Sequence, residues 1–200
     1  MSRKVLTFFG LLCCFISFWG HSDDIELGDP RVGGSGCPSG TTSVTLSPDA
    51  QELSILFDEY ISEAGGETGK RIDRKTCNLT VPVHVPQGFS VSIIKVDYRG
   101  FAYIPRGGRG RFNVEYFFAG MRGPRARKTF RGGFDDDYFL TNNLTARTLV
   151  WSRCGDDVNL RINTSMFVKT NRNFDQAMAT VDSVDINAGI VYKLQWRRCR

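Results

Sequence analysis

The sequence predicts an all-β fold, an antiparallel β-sandwich of roughly nine to eleven strands stabilised by disulfides. Three observations predict it. Apolar and polar residues alternate over long stretches, and a period of two sends successive side chains to opposite faces of a sheet. No segment carries a convincing helical period. The strand-like runs are short, numerous and punctuated by Gly, Pro, Asn and Asp, more than one open sheet holds without curling or splitting into layers.

The longest alternation runs over 79–118. Leu79, Val81, Val83 and Val85 take one face; Thr80, Pro82, His84 and Pro86 take the other. Pro82 and Pro86 have no N–H to give a ladder, which predicts an edge strand or a proline side turned to water. The pattern restarts with Phe89, Val91 and Ile93, then changes phase to Ile94, Val96 and Tyr98. A slip of one residue marks a β-bulge or a strand buried on both faces, and the bulge, at 93–94, is the favoured reading. A further strand follows with Phe112, Val114, Tyr116 and Phe118.

On the N-terminal side, Val44 and Leu46 begin a first strand and Leu53, Ile55 and Phe57 a second, with Ser47-Pro48-Asp49 as the turn. Residues 62–75, Gly-rich and charged, read as a surface loop. So does Arg-Gly-Gly-Arg-Gly-Arg at 106–111, and so does 120–133 apart from a short strand around Phe130. Asp135, Asp136 and Asp137 form a turn that opens a strand at Tyr138. Leu149 and Trp151 lead down to Cys154. Val158, Leu160, Ile162, Thr164, Met166 and Val168 face one way; Asn159, Arg161, Asn163 and Ser165 face the other. Residues 177–186 return with a second slip between Val181 and Val184. Asn187-Ala188-Gly189 then predicts a hairpin turn into a last strand carrying Ile190, Tyr192, Leu194 and Trp196.

At 200 residues and 41% hydrophobic content the chain suits a single domain. Residues 1–22 read as a signal peptide: Arg3 and Lys4, an apolar run over 5–18 too short to span a membrane, and small residues Gly20 and Ser22 before a cleavage site at Asp23. The expected organisation is an extended Gly-rich N-terminal segment over 23–40, anchored mainly by its disulfide, followed by one sandwich domain over 41–200. Loss of Arg3 and Lys4 takes the net charge from +5 to +3.

Four cysteines then remain, Cys37, Cys77, Cys154 and Cys199. An even number in an exported chain reads as two disulfides. If consecutive strands alternate up and down, the first three fall at one end and Cys199 at the other, so a simple meander disfavours Cys154–Cys199. Cys37–Cys77 and Cys77–Cys154 both fit, and an N-terminal arm could carry Cys37 to Cys199. Three sequons, at Asn78, Asn143 and Asn163, accept glycans in a eukaryotic secretory pathway.

Candidate chemistry is sparse. His84 is the one histidine outside the leader, and it lies on the proline-bearing face of its strand. Oxidised cysteines supply no nucleophile. Asp135, Asp136 and Asp137 are the weak candidates for catalysis or for a hard cation such as Ca²⁺; glycoside hydrolysis would pair them with Glu59, Asp97 or Glu115. No phosphate-cradling loop is present, since 107–110 lacks the Lys-Ser/Thr and the following helix. The basic residues Arg106, Arg109, Arg111, Arg125, Arg127, Lys128 and Arg131 lie on two neighbouring loops that read as a polyanion-binding patch. Nearby aromatics follow the core alternation, which disfavours nucleic acid.

Several blocks carry a family resemblance: VGGSGCPSGTTSVTLSPD at 32–49, VHVPQGFSVSIIKVDYRGF at 83–101, YFFAG at 116–120, FDDDYFLT at 134–141, LVWSRCG at 149–155 and NLRINTS at 159–165. The chain resembles, over about 25–199, the secreted domain-of-unknown-function family numbered four-three-six-zero of bacteria and fungi. The resemblance implies export and a β-rich domain, and no activity. The favoured reading is a secreted, non-catalytic binding module for glycan, cell wall or another polyanionic surface, with no cofactor. The alternatives are a secreted hydrolase using Asp135, Asp136 and Asp137, and a structural or defence protein acting through its surface.

Overall fold

The computed structural model describes residues 26–48, 52–143, 151–181 and 190–199. These contain thirteen strands: β1 (Glu26–Leu27), β2 (Arg31–Gly33), β3 (Thr42–Leu46), β4 (Glu52–Phe57), β5 (Ile61–Ala64), β6 (Ile72–His84), β7 (Phe89–Ile104), β8 (Arg109–Phe118), β9 (Arg125–Arg131), β10 (Phe134–Asn143), β11 (Val158–Lys169), β12 (Ala177–Thr180) and β13 (Ile190–Arg198). A single 3-10 turn, Gly66–Thr68, is the one helical piece among the described residues. All pairings are antiparallel and form two sheets. One has the order β1-β6-β11-β8-β9, with β2 beside β1 on β6; the other has β3-β4-β13-β7-β12-β5, with β10 on the opposite side of β7.

The predicted all-β sandwich is what the chain adopts, with short strands β1, β2 and β5 added to those legible in the pattern. The chain passes back and forth between the layers, with β6, β8, β9 and β11 in the first sheet and β7, β10, β12 and β13 in the second. The core lies between them. Leu79, Val81, Leu160, Ile162, Phe112 and Val114 of the first sheet are buried, as are Val91, Val96, Tyr98, Ala102 and Ile104 of the second. Rings interlock across this layer, as where Tyr98 meets Phe112 edge-on at 5.3 Å.

Both the bulge and the main core strand match their sequence pattern. Lys193 pairs with Lys95 and Leu194 with Ile93, so Ile94 is the extra residue on β7. In β11 the residues predicted to face one way alternate as buried positions from Leu160 to Val168. The prolines are accommodated otherwise than on an open edge. β6 is flanked by β11 and by β1 and β2, and Pro82 lies within it. The Gly28 N–H donates to the Pro82 carbonyl at 2.8 Å. A strand residue's nitrogen and carbonyl point the same way, so the missing N–H of Pro82 faces the short β1–β2 flank and the long β6–β11 ladder loses nothing.

Three predicted loops are wholly or partly strands. Residues 62–75 contain most of β5 and the start of β6. At 106–111 the turn ends at Gly108, whose N–H donates to the Pro105 carbonyl, and Arg109 already begins β8. Gly110 takes an inward position where a Cβ would lie 3.2 Å from the Phe130 ring, so glycine here is a packing choice and not a loop signal. Within 120–133, β9 occupies seven residues. The N-terminal segment is held by more than a disulfide. β1 and β2 pair with β6, and Gly36 donates to the Thr76 carbonyl at 2.8 Å.

The disulfides are Cys37–Cys77 and Cys154–Cys199, with Cα separations of 5.4 and 6.0 Å. The second corrects the meander argument. β12 pairs with β7 at Tyr103 and Ala102, and β13 pairs with β7 from Tyr98 to Phe89. Both are antiparallel to β7 and therefore run in one direction along the same side of it. The predicted reversal at 187–189 lies outside the described residues, but the strands flanking it do not reverse. The chain thus makes one return after β11, not two, and Cys199 arrives at the end where Cys154 sits. There Cys199 N–H donates to Gly88 and Gly155 N–H to Phe89.

Two buried tyrosines make the fold sensitive to alkali. Thr164 donates to the Cys77 carbonyl at 3.2 Å, which leaves the Tyr60 hydroxyl to donate to Thr164 at 3.0 Å. Burial pushes the Tyr60 phenol well up, and pushes Tyr116 up to about 12. An unfolded tyrosine ionises at about 10, so above that pH the unfolded chain releases protons that the folded chain keeps. Stability is therefore full below about pH 10 and declines as pH climbs towards 12. The denaturant midpoint should fall between about pH 9 and pH 11, and tyrosinate absorbance should rise together with loss of structure. Ionisation of all tyrosines in a still-folded chain would contradict this.

Candidate functional site

The outer face of the first sheet gathers the basic residues. Its composition follows from alternation: inward positions of β6, β8 and β11 supply the core, so outward positions are left to polar residues. Register then sets who stands beside whom. At one end Arg131 of β9, Arg109 of β8 and Lys169 of β11 are consecutive cross-strand partners. One step along come Thr129, Arg111, Phe167 and Arg74, then Arg127, Asn113, Ser165 and Thr76. Next are Arg125, Glu115, Asn163 and Asn78, followed by Phe117, Arg161, Thr80 and Arg31.

Nine outward strand positions on β2, β6, β8, β9 and β11 are thus cationic and one, Glu115, is a carboxylate. The face runs about 27 Å along the strands from Arg109 to Phe117 and about 14 Å across four strands. Glu115 is held by Arg125, whose Nη2 lies 2.8 Å from Oε1. Arg127 Nε donates to Asn113 Oδ1 at 3.1 Å, and Asn113 Nδ2 donates to Ser165 at 3.3 Å. Arg111 Nε is shielded from solvent and finds no acceptor among the described residues. An open depression of about 530 Å³ beside it is lined by Arg106, Arg109, Arg111, Thr129 and Arg131. A second, of about 580 Å³, lies towards the other end between Asp29, Arg31, Thr80, Asn159 and Arg161.

The predicted basic residues are therefore not on two loops, and they divide. Arg109, Arg111, Arg125, Arg127 and Arg131 share the outer face. Arg106 stands at the turn that ends it, where its carbonyl accepts from Asn171 Nδ2 at 2.9 Å. Lys128 is the exception. It pairs with inward-facing Phe112 and so projects from the opposite face of edge strand β9. Sequence reasoning missed Arg31, Arg74, Arg161 and Lys169. Arg161 was legible as a polar-face residue of β11, but nothing local says that β11 lies between β6 and β8.

Asp135, Asp136 and Asp137 are not in a turn. They are exposed on β10, opposite Tyr103, Ala102 and Phe101, and alternation sends Asp136 to the face away from the other two. Glu115 belongs to the other sheet. Asp97 is committed to Lys95 at 2.9 Å and accepts from Thr141 at 2.7 Å, and Glu59 sits between β4 and β5. Among the described residues no three His, Cys, Asp or Glu side chains converge as a metal site would require. His84 Nδ1 lies 2.7 Å from Asp157 Oδ1 at the exposed end of β6.

Of the sequons, Asn78 and Asn163 are direct cross-strand partners on the basic face, while Asn143 closes β10 in the other sheet. No helix among the described residues is long and apolar enough to cross a membrane.

A curated "Uncharacterized secreted protein" of Arthroderma benhamiae is 33% identical over 179 residues, covering 88% of this chain and 73% of that protein. A solved family 11 carbohydrate-binding module from Clostridium thermocellum, in complex with a β-1,3-1,4-mixed-linked tetrasaccharide, aligns at 9% identity over 88% of this chain and 91% of that one. Its TM-score is 0.18, which carries no argument about fold or ligand. With a secreted relative and two disulfides, the protein is extracellular. The family model described as "Domain of unknown function (DUF4360)" matches residues 23–199, and the chain belongs to that family.

Proposed function

We propose that the protein binds polyanionic polysaccharide through the outer face of the β1-β6-β11-β8-β9 sheet, without catalysis. The observation that carries this is the row Arg131, Arg109 and Lys169. Like charges directly opposite on neighbouring strands destabilise a sheet, and here three exposed cations stand side by side. Folding alone gains nothing from that arrangement. An anion laid across the row relieves the repulsion, as do the negative groups of a charged polymer continuing towards Arg161 and Arg31.

The surroundings favour an acidic glycan over the other polyanions. Between the cations lie Asn113, Ser165, Thr76, Asn78, Asn163 and Thr80, amides and hydroxyls suited to a hydroxyl-rich ligand. Phe167 is half-buried under the Arg74 guanidinium at 5.9 Å, so it offers no open ring for stacking a base. Among the described residues Ile72 is the one large exposed apolar residue in register on this face, too little to anchor in lipid.

The test is binding to heparin and to an acidic polysaccharide without sulfate, measured against salt. Each engaged cation releases counterions, so about five contacts would lower affinity roughly a hundredfold or more between about 50 and 200 mM salt. Salt-independent retention, or tighter binding to single-stranded nucleic acid or anionic vesicles than to either polysaccharide, would overturn the proposal.

A further inference from the structure

The basic face holds an unusual pair one step from its Arg161 and Arg31 end. Asn78 of β6 and Asn163 of β11 each begin a sequon, Asn78-Leu79-Thr80 and Asn163-Thr164-Ser165, and they oppose each other directly across the ladder. Their side chains leave the sheet from positions about 5 Å apart. Asn78 is exposed and Asn163 half-buried, and both point outward with the cations. Their row lies between Arg109 and Lys169 at one end and Arg161 and Arg31 at the other. Any polymer bridging the two ends passes over them.

We infer that N-glycosylation and polyanion binding compete for this face: one glycan on Asn78 or Asn163 closes it, and crowding limits the pair to one glycan per molecule. The inference rests on the outer face being the polyanion site. The modification transfers an oligosaccharide from a lipid-linked diphosphate donor. The sugar C1–N bond to the asparagine Nδ2 forms, the C1–O bond to phosphate breaks, and the amide gives up a proton. The product is a bulky, hydrated branch rooted on the face between its two cationic ends. It has no charge to offer the arginines and stands where the ligand would lie. Asn143 supplies an internal control, because it ends β10 on the other sheet, paired with Lys95.

The test uses the whole chain secreted from yeast as three single-sequon variants, each with the other two asparagines changed to Gln, beside a variant with all three changed. Intact mass reports occupancy and heparin binding reports the face. The sugar-free variant and the Asn143-only glycoprotein should bind alike. The Asn78-only and Asn163-only glycoproteins should bind at least about tenfold more weakly, and trimming each glycan to a single sugar with an endoglycosidase should restore binding. The unsubstituted chain should carry a glycan at one of the two positions on each molecule. Undiminished binding by an occupied Asn78-only or Asn163-only form, no occupancy at either position, or double occupancy on most molecules would overturn the inference while leaving the binding site itself intact. Failure of the unsubstituted chain, produced with glycan transfer blocked, to bind would instead remove the polyanion reading, and the inference with it.

Discussion

Changing Arg109, Arg131 and Lys169 together to Glu should abolish retention on heparin. These three are consecutive neighbours across β9, β8 and β11, so the substitution turns a continuous positive row into a negative one at one end of the face. A surface cation facing an anionic partner contributes about 1 kcal/mol, and reversal adds repulsion to the loss, so the total is about 3 to 6 kcal/mol, or at least about a hundredfold in affinity. All three side chains are exposed, so the core is untouched. The matching control reverses Lys128, Arg99 and Arg153, which do not share that face. It changes net charge equally and should leave most of the binding. Equal losses in both variants would mean that overall charge, not this face, holds the ligand.

The single change Arg109→Glu sharpens the same argument by giving stability and binding opposite signs. Glu at 109 would stand between Arg131 and Lys169 and convert two like-charge neighbours into two opposite-charge ones. Free protein should gain about 0.5 to 1 kcal/mol, while polysaccharide affinity falls. Sites whose residues lower stability are where function has taken precedence. A variant that loses stability as well as binding would show that Arg109 is there for the fold.

Replacing both members of either disulfide with Ala should produce the largest stability losses in the molecule. The bridges close chain separations of 40 and 45 residues. The loop-entropy account assigns such closures about 4 kcal/mol each. For a domain of this size that lowers Tm by about 10 °C. The Cys37/Cys77 pair should cost more than the Cys154/Cys199 pair, because Cys37 and Cys77 are 0% and 2% exposed and their removal also leaves core volume unfilled, whereas Cys154 lies at the surface. Thermal denaturation of the two double variants reads the order. A smaller loss for Cys37/Cys77 would contradict the burial argument. Peptide mapping that joined Cys77 to Cys154 would contradict the topology.

Much of this protein is determined locally. Inward Leu79, Val81 and Val83, or Leu160, Ile162 and Met166, need no partner to declare a strand, because alternation is a property of the chain itself. The bulge at Ile94 is equally local: one extra residue shifts the phase of everything after it. The basic, amide-rich character of the outward positions follows from the same alternation, and so does the presence of two sequons on polar faces.

What only the tertiary structure decided is adjacency. Whether Arg109 stands beside Lys169, or Asn78 beside Asn163, depends on β11 inserting between β6 and β8, residues that are distant in sequence and joined through the other sheet. Register does the rest, since a two-residue shift would keep every face intact and break every row. The same cause misplaced Cys199. Counting turns sends Cys199 to the wrong end, because β12 and β13 lie end to end along β7 without a reversal. Gly110 read as a loop because its packing against Phe130 is a contact that no neighbouring residue announces. Local alternation is written in each strand by the geometry of the backbone. The order in which strands meet is settled only when their apolar faces are buried against one another, and the basic face is a product of that order.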